Sequence, residues 1–134
     1  MPYFDNAATT RPYPEVIEAM ARAAQVYGNP SAAYSLARDA RKLVDEAREK
    51  VARLINAEPE EIYFTSGGTE ADNWAIFSTA KRYGKKNKHI ITTAVEHHAI
   101  LHCMNELAHQ GYEITYLQPD NEGRITLDAL KAAL

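Results

Sequence analysis

The spacing of apolar residues divides the chain into alternating helical and extended stretches. Tyr3 to Pro12 follows neither period and reads as an irregular arm. Pro14 then opens a helix at its first position, with Val16, Ile17, Met20 and Ala24 on one face, and Tyr27-Gly28-Asn29-Pro30 ends it. Ala40, Leu43, Val44, Ala47, Val51, Leu54 and Ile55 recur at i, i+3, i+4 and i+7, with charged residues between them. That stripe predicts a second amphipathic helix, closed by Asn56-Ala57-Glu58-Pro59. Ile62-Tyr63-Phe64-Thr65 is β-branched or aromatic throughout and predicts a short buried strand. Two glycines follow, and then a helix from Ala71 to about Tyr83 carrying Trp74, Ile76 and Phe77.

The second half continues the alternation. His89-Ile90-Ile91-Thr92-Thr93 predicts a second strand, and a helix over 98–109 buries Ile100, Leu101, Met104, Leu107 and Ala108. Tyr112, Ile114 and Tyr116 alternate along a third strand. Asp120-Asn121-Glu122-Gly123 is a turn, and Thr126 caps a last helix with Leu127, Leu130 and Leu134 apolar. Strands alternating with helices imply an α/β layered fold with a mainly parallel sheet. Three strands are few for a parallel sheet, whose members need neighbours and two covered faces, so the chain reads as part of something larger.

Composition narrows the function classes. The 134 residues suffice for one small domain, with 46% hydrophobic and 25% charged residues, as in a soluble globular protein. Fifteen Lys and Arg against eighteen Asp and Glu give a net charge of −3, which makes no electrostatic case for nucleic acid or an anionic membrane. The lone Cys103 excludes an internal disulfide and fits a reducing compartment. The N-terminal residues lack the pattern of a signal peptide, and no stretch approaches the ~20 apolar residues that span a bilayer. The expected location is the cytoplasm.

The candidate chemistry centres on Thr65-Ser66-Gly67-Gly68-Thr69-Glu70. Strand, glycine turn and helix in that order aim unpaired N–H groups at one point, where the helix adds a partial positive charge. Glycines let the main chain approach a phosphate, and the Ser66 and Thr69 hydroxyls can donate to it. The same residues also permit a plain strand-to-helix turn with a capping box, Thr69-x-x-Asp72. Glu96-His97-His98 follows the second strand, at the rim where open parallel sheets bind ligands. His97 is therefore either a ring-stacking partner or proton carrier, or a loop histidine bonded to backbone. His98, His102 and His109 share one helix face, but they lack the glutamate of a zinc helix and oppose the apolar side. That face reads as solvated, and no metal is expected. Cys103 reads as a packing residue.

Four segments in register resemble the N-terminal part of cysteine desulfurases, pyridoxal-phosphate enzymes of the class V aminotransferase group. They are Asp5-Asn6-Ala7-Ala8-Thr9-Thr10, Gly28-Asn29-Pro30-Ser31, Phe64 to Asn73, and Ile90 to His97. The likeness extends through Gly111–Leu117 and Gly123-Arg124-Ile125. It implies the N-terminal portion of a type I pyridoxal-phosphate transferase fold: residues 1–134 as the N-terminal segment and first part of the large cofactor-binding domain. The lysine-bearing part and the C-terminal domain would lie elsewhere. By the resemblance, Gly68 and Thr69 bind the phosphate of pyridoxal 5'-phosphate, His97 stacks on its ring and assists proton transfer, and the Asp5–Thr10 arm lies near the substrate.

In such enzymes a lysine holds the cofactor as a Schiff base, and a cysteine on a mobile loop takes sulfur from L-cysteine, leaving alanine. The resemblance further implies a homodimer when complete and a sulfur-acceptor or scaffold protein as partner in iron–sulfur or thio-cofactor assembly, with this segment either a truncated stretch or one half of a split enzyme that has a complementing chain. Ala32, Tyr34 and Ala37 depart from the family pattern after Asn-Pro-Ser. Lys81 stands twelve residues beyond Thr69, roughly 18 Å along a helix, so no Schiff-base lysine is visible. The family's strand order also leaves the 62–65 strand without neighbours in this chain. A selenocysteine lyase or another class V aminotransferase fits the same motifs, and a non-catalytic binding module is the alternative of another class.

Overall fold

The computed structural model describes residues 2–134, which form two compact units, the first ending at Tyr63 and the second running from Phe64 to Leu134.

The first unit is helical. Helix α1 (Pro14–Ala23) starts on its proline as expected but stops four residues before Tyr27. Helix α2 (Ser35–Ile55) begins five residues ahead of Ala40, and Asn56 ends it in the left-handed conformation (φ 55°), its N–H bonded to the Ala52 carbonyl. Ala37, Ala40 and Ala52 are buried along α2. A one-turn 3-10 helix, Pro59–Glu61, follows, and the Glu61 carboxylate accepts from the Glu58 N–H (2.9 Å). Arg48 ties α2 to the exit of this turn by donating to the Ile62 carbonyl at 3.2 Å. The positions that depart from the family pattern are put to local use. The Tyr34 hydroxyl accepts from the Asn29 N–H (3.0 Å), and Ala37 is fully buried.

The second unit holds the sheet. Helix α3 (Gly68–Tyr83) leads through a short link to strand β1 (His89–Thr93), helix α4 (His98–His109), strand β2 (Glu113–Leu117) and helix α5 (Leu127–Ala133). β1 and β2 pair in parallel, with His89 opposite Glu113 and Thr93 opposite Leu117. Ala80 of α3 and Cys103, Met104 and Leu107 of α4 form its core, against which Ile90 and Ile114 pack from opposite positions in the register. Both β1 and α4 coincide with the stretches read from the sequence, and Thr126 caps α5 through its hydroxyl (3.2 Å from the Ala129 nitrogen).

The expected strand over 62–65 does not form, leaving two strands among the described residues where three were predicted. Its sequence suits a buried strand, but a strand needs a partner for its N–H and C=O groups. Tyr63 and Phe64 are 67% and 52% exposed, so these residues lie in solvent rather than in a sheet.

Candidate functional site

The glycine turn enters α3 with Gly67 as the N-cap residue, so the helix begins at Gly68 rather than at Ala71. The first bond within the helix runs from the Ala71 N–H to the Gly67 carbonyl (3.2 Å). The N–H groups of Gly68, Thr69 and Glu70 stand ahead of it and have no helical carbonyl to meet. Gly67, Gly68 and Thr69 are exposed, and a Cβ placed on either glycine would meet no atom within 4 Å. The main chain is therefore open to a ligand here.

The Thr69–Asp72 capping box does not form. Glu70 reaches back instead, and one carboxylate oxygen accepts both the Ser66 N–H and the Ser66 hydroxyl at 2.7 Å each. These two bonds hold the Glu70 carboxyl below the usual range, the backbone bond being the larger cause. The Ser66 hydroxyl is thus committed within the turn. Thr65 donates to the Gly67 carbonyl (3.1 Å), and the Asn73 amide donates to the Thr69 carbonyl (2.7 Å). The Glu70 clasp escaped sequence reasoning because a capping box joins positions three apart, whereas Ser66 and Glu70 are four apart.

His97 sits at the start of α4. β1 ends at Thr93, whose hydroxyl donates to the Glu96 carboxylate (2.8 Å) and accepts from the Val95 N–H (3.4 Å). The Ala94 N–H extends the ladder to the Leu117 carbonyl (2.9 Å). His97 then caps the helix, its Nδ1 accepting the Ala99 N–H at 3.1 Å, while the ring stays exposed.

Topology brings the two features to one side of the sheet. Because β1 and β2 are parallel, α4 must start at the carboxyl end of β1 and return to the amino end. α3 joins β1 at the strand's amino end, and the Tyr112 hydroxyl, just before β2, donates to the Ala80 carbonyl near the α3 C-terminus (2.8 Å). α3 and α4 therefore run the same way, and both of their N-termini lie on the carboxyl side of the sheet. The Asp72 carboxylate, in the second turn of α3, helps push the Cys103 thiol up, after burial as the larger cause.

The remaining candidates divide. Cys103 is buried, donates to the Ala99 carbonyl at 3.1 Å, and is not a nucleophile in this setting. His98 and His102 lie with ring centroids 5.9 Å apart, but among the described residues no three ligating side chains gather as a metal site. No described helix is long and apolar enough to cross a membrane. Lys88 donates to the Gln110 carbonyl (3.4 Å) and lies over the Tyr112 ring, at the amino side of the sheet. Lys42 pairs with Glu46 on an exposed face. An apolar groove of about 560 Å³ flanked by Ile76, Ile90, Ile100, Met104 and Tyr112 excludes the glycine turn and His97.

The chain is similar to known proteins over nearly its whole length. The cysteine desulfurase IscS of Clostridium botulinum is 48% identical over 133 residues, which are 98% of this chain and 34% of that protein. The solved structure of a NifS-like protein superposes with a TM-score of 0.91 at 38% identity, over 98% of this chain and 36% of the other. A structure described as SspA in complex with cysteine superposes at 0.88 with 35% identity, over 100% and 39%. The chain thus spans about a third of the length of the relatives it matches. The family model for aminotransferase class V matches residues 2–134, and with it the chain takes its place as a member of the class V aminotransferase family.

Proposed function

We propose that this chain is the phosphate-binding part of a pyridoxal-phosphate-dependent cysteine desulfurase. The complete enzyme removes sulfur from L-cysteine, giving L-alanine and an enzyme-bound persulfide for a sulfur-acceptor or scaffold protein. The observation that carries this reading is the exposed start of α3, where three consecutive amides precede the first helical bond on the same side of the sheet as His97. The residues present fit the phosphate: the Gly68 and Thr69 amides supply donors, and no Cβ at Gly67 or Gly68 obstructs the approach. When bound, pyridoxal phosphate supplies the electron sink for the substrate's α-carbon. Gly68 and Thr69 would hold the phosphate, and the exposed ring of His97 would serve as the partner of the pyridine ring.

The anchoring lysine and the sulfur-carrying cysteine belong to the two thirds of the relatives that this chain does not match. Lys81 stands about 18 Å along α3 from Thr69. Lys88 lies on the amino side of the sheet, and Cys103 is buried. The chain alone is therefore inactive. The complete enzyme, cytoplasmic and a homodimer, supplies both groups from the remaining two thirds of its length, whether on the same polypeptide or on a complementing one.

The test mixes the purified chain with pyridoxal phosphate and L-cysteine, alone and with a polypeptide covering the remainder of the C. botulinum relative. Sulfide is expected only from the mixture. Sulfide from the chain alone would refute the assignment of the lysine elsewhere. Pyridoxal binding as tightly as its phosphate would refute the phosphate seat.

A further inference from the structure

The turn between β1 and α4 determines which nitrogen of His97 a ligand can meet. Nδ1 accepts the Ala99 N–H at 3.1 Å, satisfying one of the amides that α4 leaves without a helical partner. A ring nitrogen that accepts carries no proton, so the neutral imidazole keeps its proton on Nε2. The neighbouring carboxylate does not oppose this, because Glu96 Oε1 is engaged by the Thr93 hydroxyl on the strand side (2.8 Å). The closest ring partner is His98, with centroids 6.2 Å apart and planes tilted by 58°.

We propose that helix α4 locks His97 in the Nε2–H tautomer, so that His97 meets its ligand as a hydrogen-bond donor while Nδ1 serves the helix. This deepens the reading of His97 as the cofactor's ring partner and rests on it for the ligand's identity. Two consequences follow from the donor state. An atom of cofactor or substrate that lies against Nε2 must be an acceptor, such as a carboxylate or phenolate oxygen. Nε2 of the neutral ring also has no lone pair with which to take a proton. His97 can gain a proton only at Nδ1, and that places N–H against N–H and breaks the cap. His97 is thus a positioning and donor residue, and acts as a base only when the bond from Nδ1 to the Ala99 amide is broken.

The assignment is testable on the chain without cofactor, so its outcome is independent of whether pyridoxal phosphate binds. The chain is labelled with 15N-histidine and studied in alkaline buffer, where free imidazole is neutral. His97 signals are identified by their loss in His97→Asn. Nδ1 is expected at the shift of an unprotonated nitrogen and Nε2 at that of a protonated one; the reverse pattern, or averaging between the two, would overturn the proposal. Thermal unfolding gives a second reading. His97→Asn retains a capping oxygen and should unfold near the parent temperature, whereas His97→Ala should unfold several degrees lower. Equal unfolding temperatures for the two variants would mean that no cap exists.

Discussion

The hydroxyl of Tyr112 donates to the carbonyl of Ala80, fastening the segment before β2 to the last turn of α3 (2.8 Å). Gly84 lies beneath this bond: a Cβ there would overlap the Tyr112 hydroxyl and approach the Ala80 oxygen to 2.6 Å. Two substitutions probe the contact separately. Tyr112→Phe removes one hydrogen bond and should cost about 0.5–1.5 kcal/mol in urea unfolding. Gly84→Ala forces the two elements apart and should cost about 1–3 kcal/mol, as overpacking does. A Gly84→Ala variant as stable as the parent would show that the two elements do not meet there.

At position 68 the fold and the phosphate make different demands. Gly68→Ala keeps the amide but puts a Cβ into the open approach, so the chain should gain up to about 1 kcal/mol from helix propensity while its affinity for pyridoxal phosphate falls only slightly. Gly68→Pro suits the first helical position after the extended Gly67, but removes one donor. Its affinity for the phosphate should fall on the order of tenfold to a hundredfold, the worth of a hydrogen bond to a charged group. Fluorescence titration measures both; equal affinities for the alanine and proline variants would remove the Gly68 amide from the site.

Acid should open the glycine turn late. A carboxyl whose pKa falls on folding stabilises the fold above its unfolded value, and loses that contribution as pH drops through its folded value. Glu70 is such a group, held down by the Ser66 N–H and then by the Ser66 hydroxyl. The Glu70 carboxyl carbon, followed by NMR, should titrate below the usual glutamate range, and Ser66→Ala should raise its midpoint. A midpoint at the ordinary value in the parent chain would mean that the clasp is not populated.

In the first unit, Gly28 adopts φ +145°, and a Cβ there would lie 2.8 Å from the Leu36 carbonyl oxygen. Gly28→Ala should cost about 1–3 kcal/mol through the strained backbone and that contact. Asn56 also has positive φ, but glycine suits its helix-ending conformation as well, so Asn56→Gly should be nearly neutral. Urea melts of the pair test this contrast, which fails if the two substitutions cost the same.

The legible parts of the sequence were those whose causes are local. β1, α4 and the Thr126 cap depend on neighbours within a few residues or on a short parallel crossover, and the apolar pattern placed them. Residues 62–65 carried an equally strong strand pattern and remained irregular, because a ladder requires a partner that hydrophobicity cannot name. His97 illustrates a third case. Sequence offered a ligand partner or a backbone-bonded loop histidine, and Nδ1 does bond to the backbone while the ring stays exposed. The Glu70 clasp was missed because its spacing belongs to no standard capping template.

The parallel pairing of β1 with β2 closes over the single helix α4, within residues 89–117. So local a loop has a small closure penalty, and contacts of short sequence separation form early. During synthesis this crossover can assemble while downstream residues are still emerging from the ribosome. The carboxyl-side rim that bears the imidazole would then exist before α5 is complete.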